Sequence, residues 1–232
     1  KITRLRKNIV ELVLTDYPLD RLYENKSGNN ELQNVANAVG ITPEDIRYAP
    51  GKNHLNRQPD TSHPYMRADL STCINCYRCV RACDEVQGEM VLSMEGRGFD
   101  NTIIMGMNET FDASDCVSCG ACSQSCPTGA ISDVFQSKMT VPEETTRTVC
   151  TYCGVGCNLD VSTVDGEIKS ILAPYDAEVN QGHTCLKGRY AFKFYDHPER
   201  LRTPLIKRNG KFEEASWEEA YDFIEDKLRG IR

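Results

Sequence analysis

No run of eighteen or more apolar residues occurs in this 232-residue sequence, so a membrane-spanning helix is excluded from the reading. The basic start, KITRLRKNIV, is not followed by an apolar stretch with a small-residue cleavage site, and no signal peptide is visible. The first residue is Lys1 rather than methionine, which leaves targeting and any upstream segment open. No glycine-rich strand-to-helix turn suggests a dinucleotide site, and no serine or cysteine with a histidine partner reads as a nucleophile. Histidine is scarce: His54, His63 and His197 sit beside polar or proline residues and receive no role, and His183, in GHTC, reads mainly as a packing residue. Between residues 69 and 133 lysine is missing altogether. That stretch holds ten acidic and three basic side chains and so accounts for the whole formal charge of −7. A nucleic-acid partner is excluded by that balance, and a protein docking on the acidic stretch is expected to be basic.

What the sequence does have is a hydrophobic fraction of 40%, enough for one or two small domains with buried cores, and twelve cysteines. In a secreted chain these could be six disulfides, but here they cluster in tight C-x-x-C runs, which suit shared metal centres in a reducing, cytoplasmic setting.

Along the chain, Ile2, Leu5, Ile9, Leu12 and Val13 recur at helical spacing until Pro18 stops the pattern. A second helix fits Glu31 to Val39, ended by Gly40. Thr42 then reads as an N-cap with Pro43 at the first helical position. Residues 49–64, with three prolines, read as a linker, as do the polar residues 136–146. A new unit is expected from Thr148, with a hairpin through Leu159, Val161 and Thr163, the turn Asp165-Gly166, and Ile168. Asn209-Gly210 is another turn signal, and Ser216 with Glu219 forms a capping box for a helix holding Tyr221, Ile224 and Leu228. The sequence stops in that helix and reads as part of a longer polypeptide.

The cysteines carry the chemistry. Cys73, Cys76, Cys79 and Cys83 follow C-x2-C-x2-C-x3-C, and the pattern recurs 43 residues later as Cys116, Cys119, Cys122 and Cys126, an internal duplication. Two residues between cysteines let successive sulfurs reach three corners of a 4Fe-4S cube, and the fourth must come from elsewhere. In two-cluster ferredoxins the fourth cysteine of each run ligates the other cluster. This assigns Cys73, Cys76, Cys79 and Cys126 to one 4Fe-4S cluster, and Cys116, Cys119, Cys122 and Cys83 to a second. Crossed ligands hold the two close enough for rapid electron exchange. Pro127 after Cys126 fits the ferredoxin pattern, while Asp84 stands at the corresponding place in the first run. A zinc module needs only four ligands and usually shows two C-x2-C pairs, which two matching four-cysteine runs exceed. The remaining cysteines, Cys150, Cys153, Cys157 and Cys185, follow a different spacing and form a third 4Fe-4S set, with the hairpin returning the chain so that Cys185 closes it.

The segment TVCTYCGVGCNLDV, with GHTCLKGRYAF, closely resembles the cluster-binding start of the molybdopterin oxidoreductase family. There a molybdenum or tungsten bis-molybdopterin guanine dinucleotide sits beside the cluster. A lysine after the fourth cysteine lies between cluster and pterin, a cofactor-contacting role that falls to Lys187. The tail RLRTPLIKRNGKFEEASWEEAYDFI resembles the opening of that family's cofactor domain. PYMRADLSTCINCYRCVRACDEVQG resembles the ferredoxin module of formate dehydrogenases, iron-only hydrogenases and the large iron-sulfur subunit of complex I. Those relatives often hold a cluster on one histidine and three cysteines before an ELQ sequence. Here those positions are Tyr17, Arg21, Glu24 and Asn30, so that cluster is expected to be absent.

Together these resemblances imply an α+β chain with four parts: a helical scaffold and linker at 1–64, a two-cluster ferredoxin-like domain at 65–140, a small β-rich 4Fe-4S subdomain at 146–200, and the start of a cofactor domain at 201–232. They imply the relay portion of a cytoplasmic formate dehydrogenase, whose catalytic residues lie outside this sequence. Formate would be the substrate, an upstream 2Fe-2S domain is left open, and the partner would be an acceptor subunit: an NAD-reducing flavoprotein, a ferredoxin or a small quinone-linked subunit. The alternatives are a non-catalytic electron-transfer subunit like that of complex I and another pterin oxidoreductase.

Overall fold

The structure, a computed structural model, describes residues 1–23, 28, 30–47, 57–135 and 141–231. It divides into a unit from Lys1 to Phe192 and another from Lys193 to Arg232. Among the described residues no helix is long and apolar enough to cross a membrane.

The first unit opens on helices α1 (Ile2–Leu14) and α2 (Glu31–Val39). Helix α2 starts where the Asn30 side chain accepts the Gln33 N–H, and stops where Gly40 turns left-handed at φ +64. Thr42 and Asp45 close a capping box around the short turn Pro43–Asp45. Helix α1 lies where its periodicity places it, but the stripe that reveals it (Ile2, Leu5, Ile9, Leu12, Val13) is exposed. Its packed side is Val10 and Leu14, which meet Leu22, Leu32, Ala36 and Ile41 in a small core. Glu11, on the same side, is buried because the Arg47 guanidinium donates to both of its oxygens, holding the carboxyl below its usual range. Periodicity reports that a helix has an apolar face, not which neighbour covers it.

The duplicated cysteine segment is clamped at its two ends. Strand β1 (Met66–Ala68) pairs antiparallel with β4 (Ile131–Asp133), Met66 opposite Asp133. Between them β2 (Leu92–Glu95) and β3 (Thr102–Met105) form a second antiparallel pair. Met66, Leu92, Ile103, Met105, Phe111 and Ile131 fill the core beneath. Each cysteine run enters a short helix, α3 (Arg78–Arg81) and α4 (Ala121–Ser125). The repeat extends to the backbone: Asn75 and Ser118 are left-handed at φ +52 and +58, and Tyr77 and Gly120 at φ +64 and +72. In both halves the N–H of Asn75 or Ser118 donates to the sulfur of the cysteine two residues earlier, at 3.4 Å.

The halves part company at the fourth cysteine, and the departure of Asp84 from proline explains why. Pro127 cannot continue a helix and holds Cys126 extended, at φ −74 and ψ 116. Asp84 imposes no such stop, so the chain after α3 runs on as a π-helix, Ala82–Val86, that carries Cys83.

A three-stranded antiparallel sheet follows, in the order β5 (Glu144–Val149), β6 (Asn158–Val164), β7 (Glu167–Leu172), and then the short helix α5 (Leu186–Tyr190). Asp165 and Gly166, both with positive φ, make the tight turn between β6 and β7. Two linker expectations are corrected. Strand β5 begins at Glu144, inside the stretch read as linker, because all six of its residues are exposed and backbone pairing to β6, not an apolar alternation, holds it. Of residues 49–64, those at 49–56 lie outside the described residues, and 57–64 are tied down rather than free. Asp60 exchanges both backbone hydrogen bonds with Ala68, its carboxylate accepts the Phe111 N–H at 2.6 Å, and His63 is buried.

The second unit is a hairpin of β8 (Leu205–Arg208) and β9 (Lys211–Glu214) around Asn209-Gly210, followed by α6 (Trp217–Arg229). The Ser216–Glu219 capping box starts that helix, and its Trp217, Tyr221, Ile224 and Leu228 are exposed.

Candidate metal centres

All twelve cysteines are free thiols, and the structure gathers them into three groups of four. Cys73, Cys76 and Cys79 share electrostatic neighbourhood with Cys126, and the four line one enclosed space with Leu70, Ile103 and Ile131. Cys116, Cys119 and Cys122 lie in the same way around Cys83. Cys157 is grouped with Cys150, Cys153 and Cys185. Each run of the duplication thus sends its fourth cysteine across to the other run. Among the described residues no three His, Cys, Asp or Glu side chains come close enough to hold one metal ion. Four thiols dispersed around a cavity are the donor set a cubane needs, because each sulfur binds a different iron.

Burial governs the protonation of these groups. It pushes the Cys73 thiol up to about 11, raises Cys79, Cys76, Cys116, Cys119 and Cys157, and takes Cys122 well above its ordinary value. Those seven thiols would hold protons at neutral pH unless a cation replaced them, so iron binding to them would release protons and supply folding energy.

The three groups stand in series. Cys122 of the second senses Cys79 of the first, and Cys119 of the second lines an open cleft with Cys153, Cys157 and Cys185 of the third. Lys187 is exposed and lines that cleft, and His183 lines it too, with its Nδ1 2.9 Å from Gln87 Nε2. Gly188 lets α5 approach: a Cβ there would stand 2.4 Å from Thr184 Oγ1 and 3.6 Å from Cys150 Sγ.

Two supporting residues escaped the reading of the sequence. His63, placed in a linker and given no role, accepts the N–H groups of Tyr65 and Met66 at Nδ1, at 3.1 and 3.0 Å. Its Nε2 therefore carries the proton and donates to Ser118 Oγ at 3.0 Å, fixing the left-handed residue between Cys116 and Cys119. Arg189 is 1% exposed and reaches from α5 to Cys119. His63 lies just before the quoted ferredoxin-like segment, and Arg189 stands within GHTCLKGRYAF, where nothing in its residue type alone marks it as buried.

Of the positions where relatives place a histidine and three cysteines, Tyr17 is buried in the α1–α2 core and Arg21 donates to Asp69 at 2.8 Å and to Ser71 at 2.7 Å. Asn30 caps α2, and Glu24 lies outside the described residues. The scaffold is fastened to the cysteine module by the Leu32 N–H on the Pro127 carbonyl and by the Arg78–Glu31 ion pair at 2.7 Å.

Comparison with known families matches residues 143–197 to the molybdopterin oxidoreductase Fe4S4 domain, residues 72–130 to a 4Fe-4S dicluster domain, and residues 200–232 to molybdopterin oxidoreductase. The chain carries a molybdopterin oxidoreductase Fe4S4 domain and a segment matching the molybdopterin oxidoreductase domain. It is similar to a subunit of the NADH-quinone oxidoreductase of Rhizobium meliloti (strain 1021), 31% identical over 98% of this chain and 26% of that protein. It is also similar to the putative formate dehydrogenase YrhE of Bacillus subtilis (strain 168), 33% identical over 90% of this chain and 25% of that one. Among solved structures, an NAD+-reducing [NiFe]-hydrogenase in the H2-reduced state resembles 60% of this chain and 57% of its own, with 26% identity and a TM-score of 0.46. The chain spans about a quarter of the length of the curated relatives it matches. The cysteine-lined cleft, shared by the dicluster and Fe4S4 segments, has a volume of about 960 Å³. That is at the upper end of the ~300–1,000 Å³ common for small-molecule and cofactor sites.

Proposed function

We propose that this chain is the electron-relay portion of a formate dehydrogenase, a protein that converts formate to carbon dioxide, a proton and two electrons at a molybdenum or tungsten bis-molybdopterin guanine dinucleotide. The observation that carries the relay is the serial arrangement of three four-thiol groups, with Cys119 of the second lining the cleft of the third. Three 4Fe-4S clusters would supply one-electron carriers. Cys73, Cys76, Cys79 and Cys126 would hold the first, Cys83, Cys116, Cys119 and Cys122 the second, and Cys150, Cys153, Cys157 and Cys185 the third.

The chain's own residues divide the remaining work. The buried surroundings of Cys73, Cys79 and Cys122 exclude water from the first two sites, whereas Cys153 and Cys185 stay exposed on the cleft. Lys187 at the cleft's edge would place a cation towards the pterin. Cys76, exposed beside the exposed Tyr77, marks the side of the first site open to an acceptor subunit. A flavoprotein reducing NAD, a ferredoxin and a small quinone-linked subunit all fit that position. The domain bounds proposed are the helical scaffold at 1–64, the two-cluster module at 65–140, the third-site subdomain at 146–200 and the opening of the cofactor domain from 201.

Anaerobic electron paramagnetic resonance on the whole protein, before and after formate, tests this. Reduced 4Fe-4S signals appearing with a molybdenum or tungsten signal support it; clusters that dithionite reduces and formate does not overturn the formate assignment. The similarity to part of an NADH-quinone oxidoreductase favours one other reading, a relay protein without pterin. Metal analysis separates the two, since such a relay would contain iron and neither molybdenum nor tungsten.

A further inference from the structure

Among the described residues, the largest side chain with less than 2% exposure is an arginine. Arg189 projects from α5, four residues past Cys185, and is 1% exposed. Its Nε donates to the Cys119 carbonyl at 2.9 Å, its Nη2 to Gln124 Oε1 at 2.8 Å and its Nη1 to the Ile171 carbonyl at 3.4 Å. Its own backbone N–H donates to the Cys185 carbonyl at 3.1 Å. One residue thus links the peptide of a second-site cysteine to that of a third-site cysteine by two hydrogen bonds. Gln124 tightens the joint: its amide exchanges two hydrogen bonds with the Ala173 backbone, at 2.6 and 3.0 Å.

The duplication shows that this joint was built into one half only. Gly120 and Gln124 correspond, 43 residues on, to Tyr77 and Arg81 in the first half. A Cβ at Gly120 would lie 2.3 Å from Arg189 Cδ, so the second half admits the arginine only because that position lacks a side chain. Tyr77 and Arg81, facing no such partner, keep large side chains.

The electrostatics are unusual as well. Among the described residues Arg189 forms no ion pair with a carboxylate; its acceptors are two carbonyls and an amide oxygen. A buried guanidinium without a counter-charge is costly. The negative charge that would balance it is that of thiolates at the neighbouring sites, and the Cys119 sulfur lies within reach of its field. Adding an electron to a cluster there increases that negative charge.

Resting on the cluster reading above, we propose that Arg189 is a positioning residue that couples the second and third sites and whose buried charge favours the reduced state of the cluster on Cys83, Cys116, Cys119 and Cys122. Arg189→Gln keeps a donor and removes the charge; Arg189→Lys keeps the charge and removes the fork. The test is an anaerobic redox titration of the whole protein followed by electron paramagnetic resonance. In Arg189→Gln one of three signals is expected to become at least about tenfold harder to reduce, a shift of about 59 mV for one electron, with the signal of the first site unmoved. Arg189→Lys is expected to restore that midpoint. Three unshifted signals in Arg189→Gln overturn the proposal alone, whereas a wild-type protein without 4Fe-4S signals overturns the cluster reading and the proposal with it. Should Arg189→Gln fail to retain the second cluster, Arg189→Lys decides: a wild-type midpoint supports the role of charge, and a tenfold shift refutes it.

Discussion

Replacing Gly120 by alanine should damage the protein far more than a one-methyl change suggests, and the duplicated position supplies its own control. Gly120 is left-handed at φ +72, a conformation that costs an L-residue about 1–2 kcal/mol. The new Cβ would stand 2.3 Å from Arg189 Cδ, 2.4 Å from the Tyr190 hydroxyl and 2.6 Å from Arg189 Nε, all closer than real Cβ contacts. Arg189 cannot swing into solvent, because it is 1% exposed and fixed by three side-chain hydrogen bonds. Displacing it breaks at least one bond to a charged group, worth about 1.5–3 kcal/mol. Strain and lost bond together come to about 3–5 kcal/mol, a large part of the stability of an ordinary domain. Tyr77 has the same left-handed backbone and an exposed side chain, so Tyr77→Gly releases strain and costs only about 0.5–1 kcal/mol in backbone entropy. It should be neutral or slightly stabilising. Anaerobic guanidinium unfolding of the cluster-loaded protein, followed by visible absorbance, reads both variants. A Gly120→Ala protein within about 1 kcal/mol of wild type would refute the argument, since it would mean that Arg189 is free to move.

Three further outcomes are expected. Cys126→Ser should abolish the signal of the site containing Cys73, with about a third of the iron lost, although the substituted residue lies in the second run; loss of the Cys116 site instead would show that the ligands are not crossed. His63 should make the protein acid-sensitive. Burial lowers its pKa below 6.5, so as pH falls below that value the unfolded chain takes up the proton first and stability drops until the folded value is reached. The charged ring would also lose Nδ1 as the acceptor for Tyr65 and Met66. Melting temperature against pH checks this, and His63→Asn should flatten the dependence around pH 6.5, leaving only what the carboxylates contribute at lower pH. Gly188→Ala drives a methyl against Thr184 Oγ1 and should loosen the Cys150 site, seen as faster loss of the third signal on exposure to a chelator, with the first two unaffected.

Much of this protein was legible because its signals are local. Asn30 and Gly40 bound α2, Asp165-Gly166 and Asn209-Gly210 make their turns, and Ser216 with Glu219 starts α6, each through contacts within a few residues. The linkers were harder. The strand Glu144–Val149 is held by main-chain pairing to β6 and by Arg147 on Asp160 and Asp176, and has no apolar alternation to betray it. Asp60 and His63 look like loop residues because partners that help fix them, the Phe111 N–H on Asp60 and the Ser118 hydroxyl on His63, are distant in sequence.

By itself the sequence determined which twelve residues carry a thiol, the 43-residue repeat that arranges eight of them, and the family that residues 143–232 are similar to. Only the tertiary structure decided that the second half of the repeat, not the first, faces the third site. That choice depends on a glycine that leaves room, an arginine that fills it and a histidine that props the loop beside it. These three come from different parts of the chain, and the packing that gives each its role exists only once the chain has folded.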